Sequence, residues 1–343
     1  MGVNDGDELE PLHIDDGIKR FHSHREPELE QSSIRNARTR MNYFRKWAVE
    51  VAEIENLNHL TGRDLAEFVA WRRPQIAALT LQKQLSSVRQ ALRFWADIEA
   101  VPEGLAEKLH APELPDGAEA RDIHLSAERA EHILSTLDEF HYASPRHAMM
   151  TILWYTGMRR SALRALDVDD LRPDSHAIAV KNRPEQGTKL KNGDAGERWV
   201  YLGPIHYQVI EDSLGHPERD DVVDEYGREP LVTTRKGRPT GDTIYVRINR
   251  ATQPCEYGGC PHGIDPENCD ARGSDGYASK CPSARSPHAV RRGSITHHLN
   301  RKVSPEAVSE RCDVSLEVLY KHYDVRTNRE KMTVRKDLVE GAL

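Results

Sequence analysis

One stretch constrains this chain more than any other. Residues 111–123, Ala-Pro-Glu-Leu-Pro-Asp-Gly-Ala-Glu-Ala-Arg-Asp-Ile, hold two Pro and a Gly and carry no apolar period. Periodic apolar positions stop before this stretch and resume after it, so it reads as a linker between two folded parts. A length of 343 residues agrees with two domains of ordinary size. The expected division is an acidic, disordered tail over 1–27, a small helical domain over 28–110, the linker over 111–123 and a larger domain over 124–343. A Cys-rich insert falls at about 251–285 within the larger domain. The opening segment carries Asp5, Asp7, Glu8, Glu10, Asp15 and Asp16 with no Lys or Arg before Lys19, which is not the pattern of a secretory signal. No apolar run is long enough to span a bilayer, so a cytoplasmic protein without membrane contact is expected.

The first domain is helical by spacing. From Ser33 onward Ile34, Ala37, Met41, Phe44 and Ala48 recur at intervals of three and four, with Ser32 or Ser33 as the cap. A second helix is expected from Thr61, with Asp64 as its capping partner and Leu65, Phe68 and Val69 on its apolar face. A third follows Thr80 and carries Leu81, Leu85, Val88, Leu92 and Trp95. These stripes are core.

Charge points to no partner when averaged. Lys+Arg 48 against Asp+Glu 55 gives −7, but only 13 of the 48 cations are Lys and 35 are Arg. Arginine forks match phosphate oxygens two at a time, so a net acidic chain can still bind a polyanion locally. An acidic, Lys-poor surface also fits a protein adapted to high salt. Locally, no acid lies between Glu30 and Glu50, where Arg35, Arg38, Arg40, Arg45 and Lys46 fall. None lies between Gly276 and Pro305 either, where Lys280, Arg285, Arg291, Arg292, Arg301 and Lys302 fall. Arg35, Arg38 and Arg292 are the candidate contacts to such a polyanion.

The second domain reads as mainly α with a small antiparallel sheet, an α+β arrangement. Ser126 caps one helix, and Ala148 to Tyr155 forms another that ends at Gly157. Arg159 then stands at a new helix start, where outward-pointing N–H groups favour an anion. Residues 176–181, 197–202 and 231–234 alternate like strands, and the turn between the first two contains Lys189 and Lys191. Pro287 suits a first helical turn, which places His288 and Arg291 on one face.

The order Thr-Gly-x-Arg, hairpin Lys, His-x-x-Arg and Tyr is that of a known family. The second domain resembles the tyrosine recombinases, or phage-type integrases, and the first looks like their core-binding domain, over roughly residues 28–330. The Cys-containing insert looks like that of archaeal, haloarchaeal members. Carried across residue by residue, the resemblance makes Arg159 the first catalytic Arg, Lys191 (or Lys189) the hairpin Lys, and His288 with Arg291 the second box. A gap-free match of Asp313-Val314-Ser315 to the family's Gly-His-Ser puts the nucleophile at Tyr323, with Tyr320 as the rival. Two positions depart from the family: Val314 replaces its second active-site His or Trp, and Ala162 replaces the Glu that often follows the first Arg.

The resemblance implies strand exchange on double-stranded DNA by a tetramer, through a 3′-phosphotyrosine, without metal or ATP. The residue types suit that chemistry. A Tyr hydroxyl with a pKa near ~10 needs cationic neighbours to attack at neutral pH. Two Arg neutralise the equatorial phosphate oxygens, and a Lys on a turn can protonate the leaving 5′ oxygen. A non-catalytic DNA-binding protein of the same fold is the alternative that Val314 motivates.

Cys255, Cys260, Cys269 and Cys281 fall in a C-x4-C-x8-C-x11-C pattern. Clustered Cys in a cytosolic chain favour metal over disulfides, and four thiolates make a closed, structural zinc site. A site with His262 replacing one Cys, or reduced thiols without metal, are the other readings. A zinc enzyme is disfavoured because four Cys leave no open ligand position. Cys312 is expected to be buried core.

Overall fold

The computed structural model describes residues 9–28, 31–113, 123–273, 275–324 and 326–340. The chain divides into two compact units, Met1–Arg121 and Asp122–Leu343, each with its own apolar core. Most of the expected linker, 114–122, lies outside the described residues.

The first unit is a bundle of α1 (Ile14–Arg25), α2 (Gln31–Glu50), α3 (Gly62–Arg72) and α4 (Ala78–Asp97). The expected apolar stripes face its core: Ile34, Met41, Phe44, Ala48, Leu65, Phe68, Leu81, Leu85, Val88, Leu92 and Trp95 are all buried. Thr61 and Asp64 form the expected reciprocal capping box of α3. Two boundaries move. Helix α2 already runs at Gln31, so Ser32 and Ser33 lie inside it, and α4 starts at Ala78 instead of after Thr80.

The acidic tail is the larger correction, because residues 14–25 of it form α1. Ile14 and Phe21 are buried in the bundle core, and the Trp95 indole Nε1 donates to the Gly17 carbonyl at 2.9 Å. Acidic Asp15 is not a solvated tail charge but the partner of Arg45 on α2. Apolar residues one helical turn and more apart were diluted by the acids around them, which hid the helix.

The second unit begins with α5 (Ala127–Phe140), α6 (Pro145–Thr156) and α7 (Arg160–Ala165). Next come β1 (Leu171–Arg172), β2 (Ala177–Val180) and β3 (Arg198–Tyr201), which form one antiparallel sheet in the order β1-β2-β3. Ala177 faces Tyr201 and Val180 faces Arg198 across the β2–β3 hairpin. The helices α8 (Pro204–Ser213), α9 (Gly241–Ala251), α10 (Asp270–Gly273), α11 (Pro287–Asn300), α12 (Pro305–Cys312), α13 (Leu316–Val318) and α14 (Asn328–Glu340) complete it. Residues 319–323 form a single π turn.

The strand expected over 231–234 does not form. Leu231, Val232 and Thr233 are buried, but the segment makes only isolated pairings, Pro230 with Asp167 and Thr234 with Gly237. Its apolar run packs into the core as an irregular connection, and the sheet's third strand is the two-residue β1. Beside it, Asp167, Asp170 and Asp224 meet Arg183, Arg228 and Arg238 in a buried ion network that fixes the base of the β2–β3 hairpin.

Candidate active site

The site is built where helices end. Helix α6 stops at Gly157, whose φ of 61° is left-handed, and an added Cβ there would lie 2.6 Å from the Cys312 sulfur. Both constraints select glycine. The turn delivers Arg159 to the N-cap of α7, as expected from the sequence. Helix α11 is capped by Ser286 with Pro287 in its first turn, also as expected, and so carries His288 and Arg291. Gly293 of α11 passes so close to α5's approach segment that a Cβ would stand 1.9 Å from the Leu125 carbonyl oxygen.

Arg291 is 1% exposed, and both of its terminal nitrogens are engaged while its buried Nε has no partner among the described residues. Its Nη1 donates to the carbonyls of Gly157 at 2.7 Å and Cys312 at 2.5 Å, and its Nη2 to that of Asp313 at 3.4 Å. One side chain thereby joins the C-terminal end of α6 to that of α12. Arg159 Nη1 donates to the Asp313 carboxylate. Burial and the neighbouring Arg291 both weaken the hold of Arg159 on its proton, while Asp313 and Tyr323 oppose them. The two guanidiniums therefore form one cationic pocket, with the Asp313 carboxylate as its counterion among the described residues.

Tyr323 enters this pocket. It is 7% exposed, its ring centroid lies 5.5 Å from that of His288, and the Arg291 guanidinium carbon sits 5.2 Å from the ring. Tyr320 is 51% exposed. Three residues apart on an α-helix, the two would share a face. The π turn separates them instead: the Asp324 N–H donates to the Leu319 carbonyl, five residues back, at 2.8 Å. Burial, and then Arg291, Arg292, Arg159 and His322, push the His288 pKa below its ordinary value. The shift favours the neutral imidazole of His288 over its imidazolium.

Val314 and Cys312 belong to a small apolar cluster with Ile295, Leu299, Val308, Leu319 and Tyr323. Val314 is 4% exposed and buried in the same cluster as the tyrosine. Ala162, at the position of the family's Glu, is equally buried.

Lys189 and Lys191 are both exposed on the β2–β3 hairpin and flank buried Leu190. The Asn182 side chain holds this turn by accepting from the Leu190 N–H at 2.8 Å. From the same turn the Asn192 Nδ2 donates to the Asp313 carboxylate at 2.6 Å. Asp313 and Asn192 were missed in the sequence. The available signal was an Asp at a helix end in the place of a family Gly, which marks a left-handed residue able to carry a charge. Arg198 was also missed; burial lowers its pKa to about 10, and it donates to the Arg311 and Gly196 carbonyls.

The outer candidates fare differently. Arg292, expected to touch DNA, is 7% exposed and its buried Nε has no hydrogen-bond partner, so it is not a surface contact. It lies one residue past Arg291 on a helix packed on most sides. Arg35 and Arg38 are exposed on α2, with Arg38 Nη2 3.6 Å from a Glu26 oxygen. The four clustered cysteines are all free and line one cavity of about 270 Å³ together with His262. Among the described residues, however, no three His, Cys, Asp or Glu are gathered closely enough to hold a metal ion. No helix among the described residues is long and apolar enough to cross a membrane.

Comparison with known proteins bears on the fold. The phage integrase N-terminal SAM-like domain matches residues 18–97, a span that begins inside α1. Tyrosine recombinase XerC of Chlamydia trachomatis is 24% identical over 148 residues, which is 43% of this chain and 43% of XerC. The chain thus spans less than half the length of the curated relatives it matches. The Tn1549 transposon integrase in complex with a circular intermediate DNA superposes with a TM-score of 0.69 at 14% identity, covering 95% of this chain and 99% of that one. A lambda integrase tetramer bound to a Holliday junction gives 0.62 at 11% identity, covering 89% and 78%. Residues 18–97 are thus similar to a phage integrase N-terminal SAM-like domain, and the chain shares the fold of the Tn1549 transposon integrase and lambda integrase.

Proposed function

We propose that this protein is a site-specific DNA recombinase that cuts and rejoins double-stranded DNA through a 3′-phosphotyrosine. The observation that carries this reading is Tyr323 buried between His288 and Arg291, with Arg159 alongside. The Tyr323 oxygen attacks phosphorus and the bond to the 5′ oxygen breaks. Neutral His288 receives the phenolic proton, and Lys191 on its exposed turn, with Lys189 as its rival, supplies one to the departing 5′ oxygen. Arg159 and Arg291 offset the charge that gathers on the equatorial oxygens. Energy of the broken bond stays in the phosphotyrosine, so religation needs no ATP. The protein works in the cytoplasm as a tetramer on DNA, and exposed Arg35 and Arg38 on α2 hold phosphates with the first unit.

A nicked suicide duplex that loses its short 5′ fragment tests this. The wild type should leave a covalent adduct, and peptide mapping should find it on Tyr323. Tyr323→Phe should abolish the adduct with DNA binding intact, while Tyr320→Phe should retain it. An adduct on Tyr320 would reassign the nucleophile. Binding without any adduct would favour the non-catalytic reading, for which the buried Val314 is the supporting feature. Charge reversal at Arg35 and Arg38 should weaken binding on every sequence and flatten its salt dependence, by roughly 0.9 in slope for each phosphate that is no longer neutralised.

Zinc in the insert belongs to the same reading. Its support is chemical: four reduced thiols and an imidazole border one cavity, a donor set that suits a structural zinc once drawn inward. Such an ion would brace the segment that leads into α11. Elemental analysis of protein purified without chelator should find about one zinc per chain, and protein without zinc would remove it from the reading.

A further inference from the structure

We infer that Asp313 is the positioning residue that couples the Arg159 guanidinium to the Lys191-bearing turn, so that one carboxylate assembles charge neutralisation and proton delivery. The inference rests on the phosphotyrosine chemistry proposed above. Both carboxylate oxygens are committed, Oδ2 to Arg159 Nη1 and Oδ1 to Asn192 Nδ2. Asn192 directly follows Lys191, so its bond sets where the exposed lysine's turn sits relative to the arginines. The backbone of the same residue is held too, since Arg291 Nη2 donates to the Asp313 carbonyl and Arg291 Nη1 to that of Cys312. Three separate segments, α7, the hairpin and α11, therefore meet on one residue.

Backbone conformation marks Asp313 as a specific choice. Its φ is 56°, the left-handed region where glycine is the usual occupant and Asp is among the few tolerated side chains. Glycine there would satisfy the turn but supply no carboxylate. The acid that the family often places one turn along α7 is absent, since that position is buried Ala162. Arg159 and Arg291 also repel each other, and Asp313 is the nearby anion that lets them share the pocket. Its side chain is 14% exposed, sheltered enough for the pairing to resist screening by salt.

The test is single-turnover cleavage by the full chain on the suicide duplex, with either an ordinary scissile phosphate or a 5′-bridging phosphorothiolate. The sulfur leaving group needs no proton, so it bypasses the lysine but not the arginines. Asp313→Gly keeps the left-handed backbone unstrained and should slow cleavage by about 10²- to 10³-fold without a comparable loss of DNA affinity. Asn192→Ala removes only the hairpin tie and should cost about tenfold. On the phosphorothiolate, Asn192→Ala should return to the wild-type rate and Asp313→Gly should recover only in part. A general loss of structure would not be rescued by changing one atom of the substrate. Asp313→Gly cleaving at the wild-type rate or faster would overturn the inference, since the carboxylate would then be idle or a competitor of the phosphate. An Asn192→Ala defect that is absent, or that persists on the phosphorothiolate, would overturn it equally. A wild type that forms no adduct on either substrate would instead strike the parent proposal.

Discussion

The two units bury arginine for different ends. In the first, Arg72 is 6% exposed and its contacts are local: its Nε donates to Gln84, and its guanidinium lies 3.8 Å above the Tyr43 ring. It closes α3 against the neighbouring helices and leaves the apolar bundle intact. In the second, Arg291 is buried more deeply and collects carbonyls from the ends of two helices. Helix C-termini expose unpaired carbonyls, and a guanidinium is the group best able to satisfy several at once. One arginine is part of the packing; the other organises a site. The lesson is that a charged side chain in a core is informative through what it bonds, not through its burial.

This contrast can be broken by separating the two units' stabilities, for instance by following two thermal transitions. The largest effect should come from Gly293→Ala, whose Cβ meets the fixed Leu125 carbonyl and not a movable side chain. We expect the second unit alone to lose more than about 4 kcal/mol, with the transition of the first unchanged. A shared loss would mean that the units fold as one.

Phe68→Ala is the converse. Phe68 is fully buried and meets Phe44 edge-on at 5.2 Å. Its truncation should destabilise the first unit by about 3–5 kcal/mol. A covalent adduct that still forms, at raised DNA concentration, would confirm that the chemistry belongs to the second unit.

Acid should also distinguish the units. Burial pushes the His298 pKa down to about 4, and His147, His206, His288 and His297 of the same unit shift the same way. The unfolded chain takes up these protons near pH 6.5, and the folded unit refuses them until lower pH. Stability is thus full above about pH 6.5 and falls as pH drops toward 4, with His298 alone accounting for roughly 2–3 kcal/mol. Asp15 of the first unit shifts in the same direction but in a lower window: Arg45 lowers its pKa, so its contribution is intact above the usual carboxylate value and is lost only as pH falls through that value and below. Between pH 6.5 and 4 the second unit should therefore weaken first. His298→Gln should flatten its response, and an unchanged pH profile would refute the assignment.

The smallest effect belongs to that Arg45–Asp15 pair. Both partners remain about two-fifths exposed, at 40% and 44%. Arg45→Ala should cost less than about 1 kcal/mol, and a larger loss would show that α1 depends on the ion pair more than on Ile14 and Phe21.

What the sequence made legible follows the same division. Periodicity located α2, α3 and α4, because a bundle buries the positions that recur every three or four residues. It failed at α1, where Ile14, Gly17 and Phe21 make a sparse stripe among acids. In the second unit the motif order led to Arg159, His288, Arg291 and Tyr323, which do meet. It could not reveal Asp313 or Asn192, since their roles exist only after a hairpin and a helix end come together 121 residues apart. Nor could it foresee that Arg292, adjacent to Arg291, points into packing, or that buried Leu231 to Thr233 form no strand. Those outcomes depend on long-range pairing, which spacing along the chain does not encode.

The π turn at 319–323 carries a consequence of a different kind. A π turn accommodates one residue more than an α turn in the same stretch, so the side chains after it are rotated out of α-helical phase. Which tyrosine reaches the pocket is then a matter of counting as much as of identity. With Ser315 fixed as the cap of α13 and Asp324 closing the turn, the extra residue carries Tyr323 inward and leaves Tyr320 at the surface. Loss of a single residue between them would reset that phase with every reactive group still in the chain. Insertions and deletions here, more than substitutions, are the changes to which this pocket is most exposed.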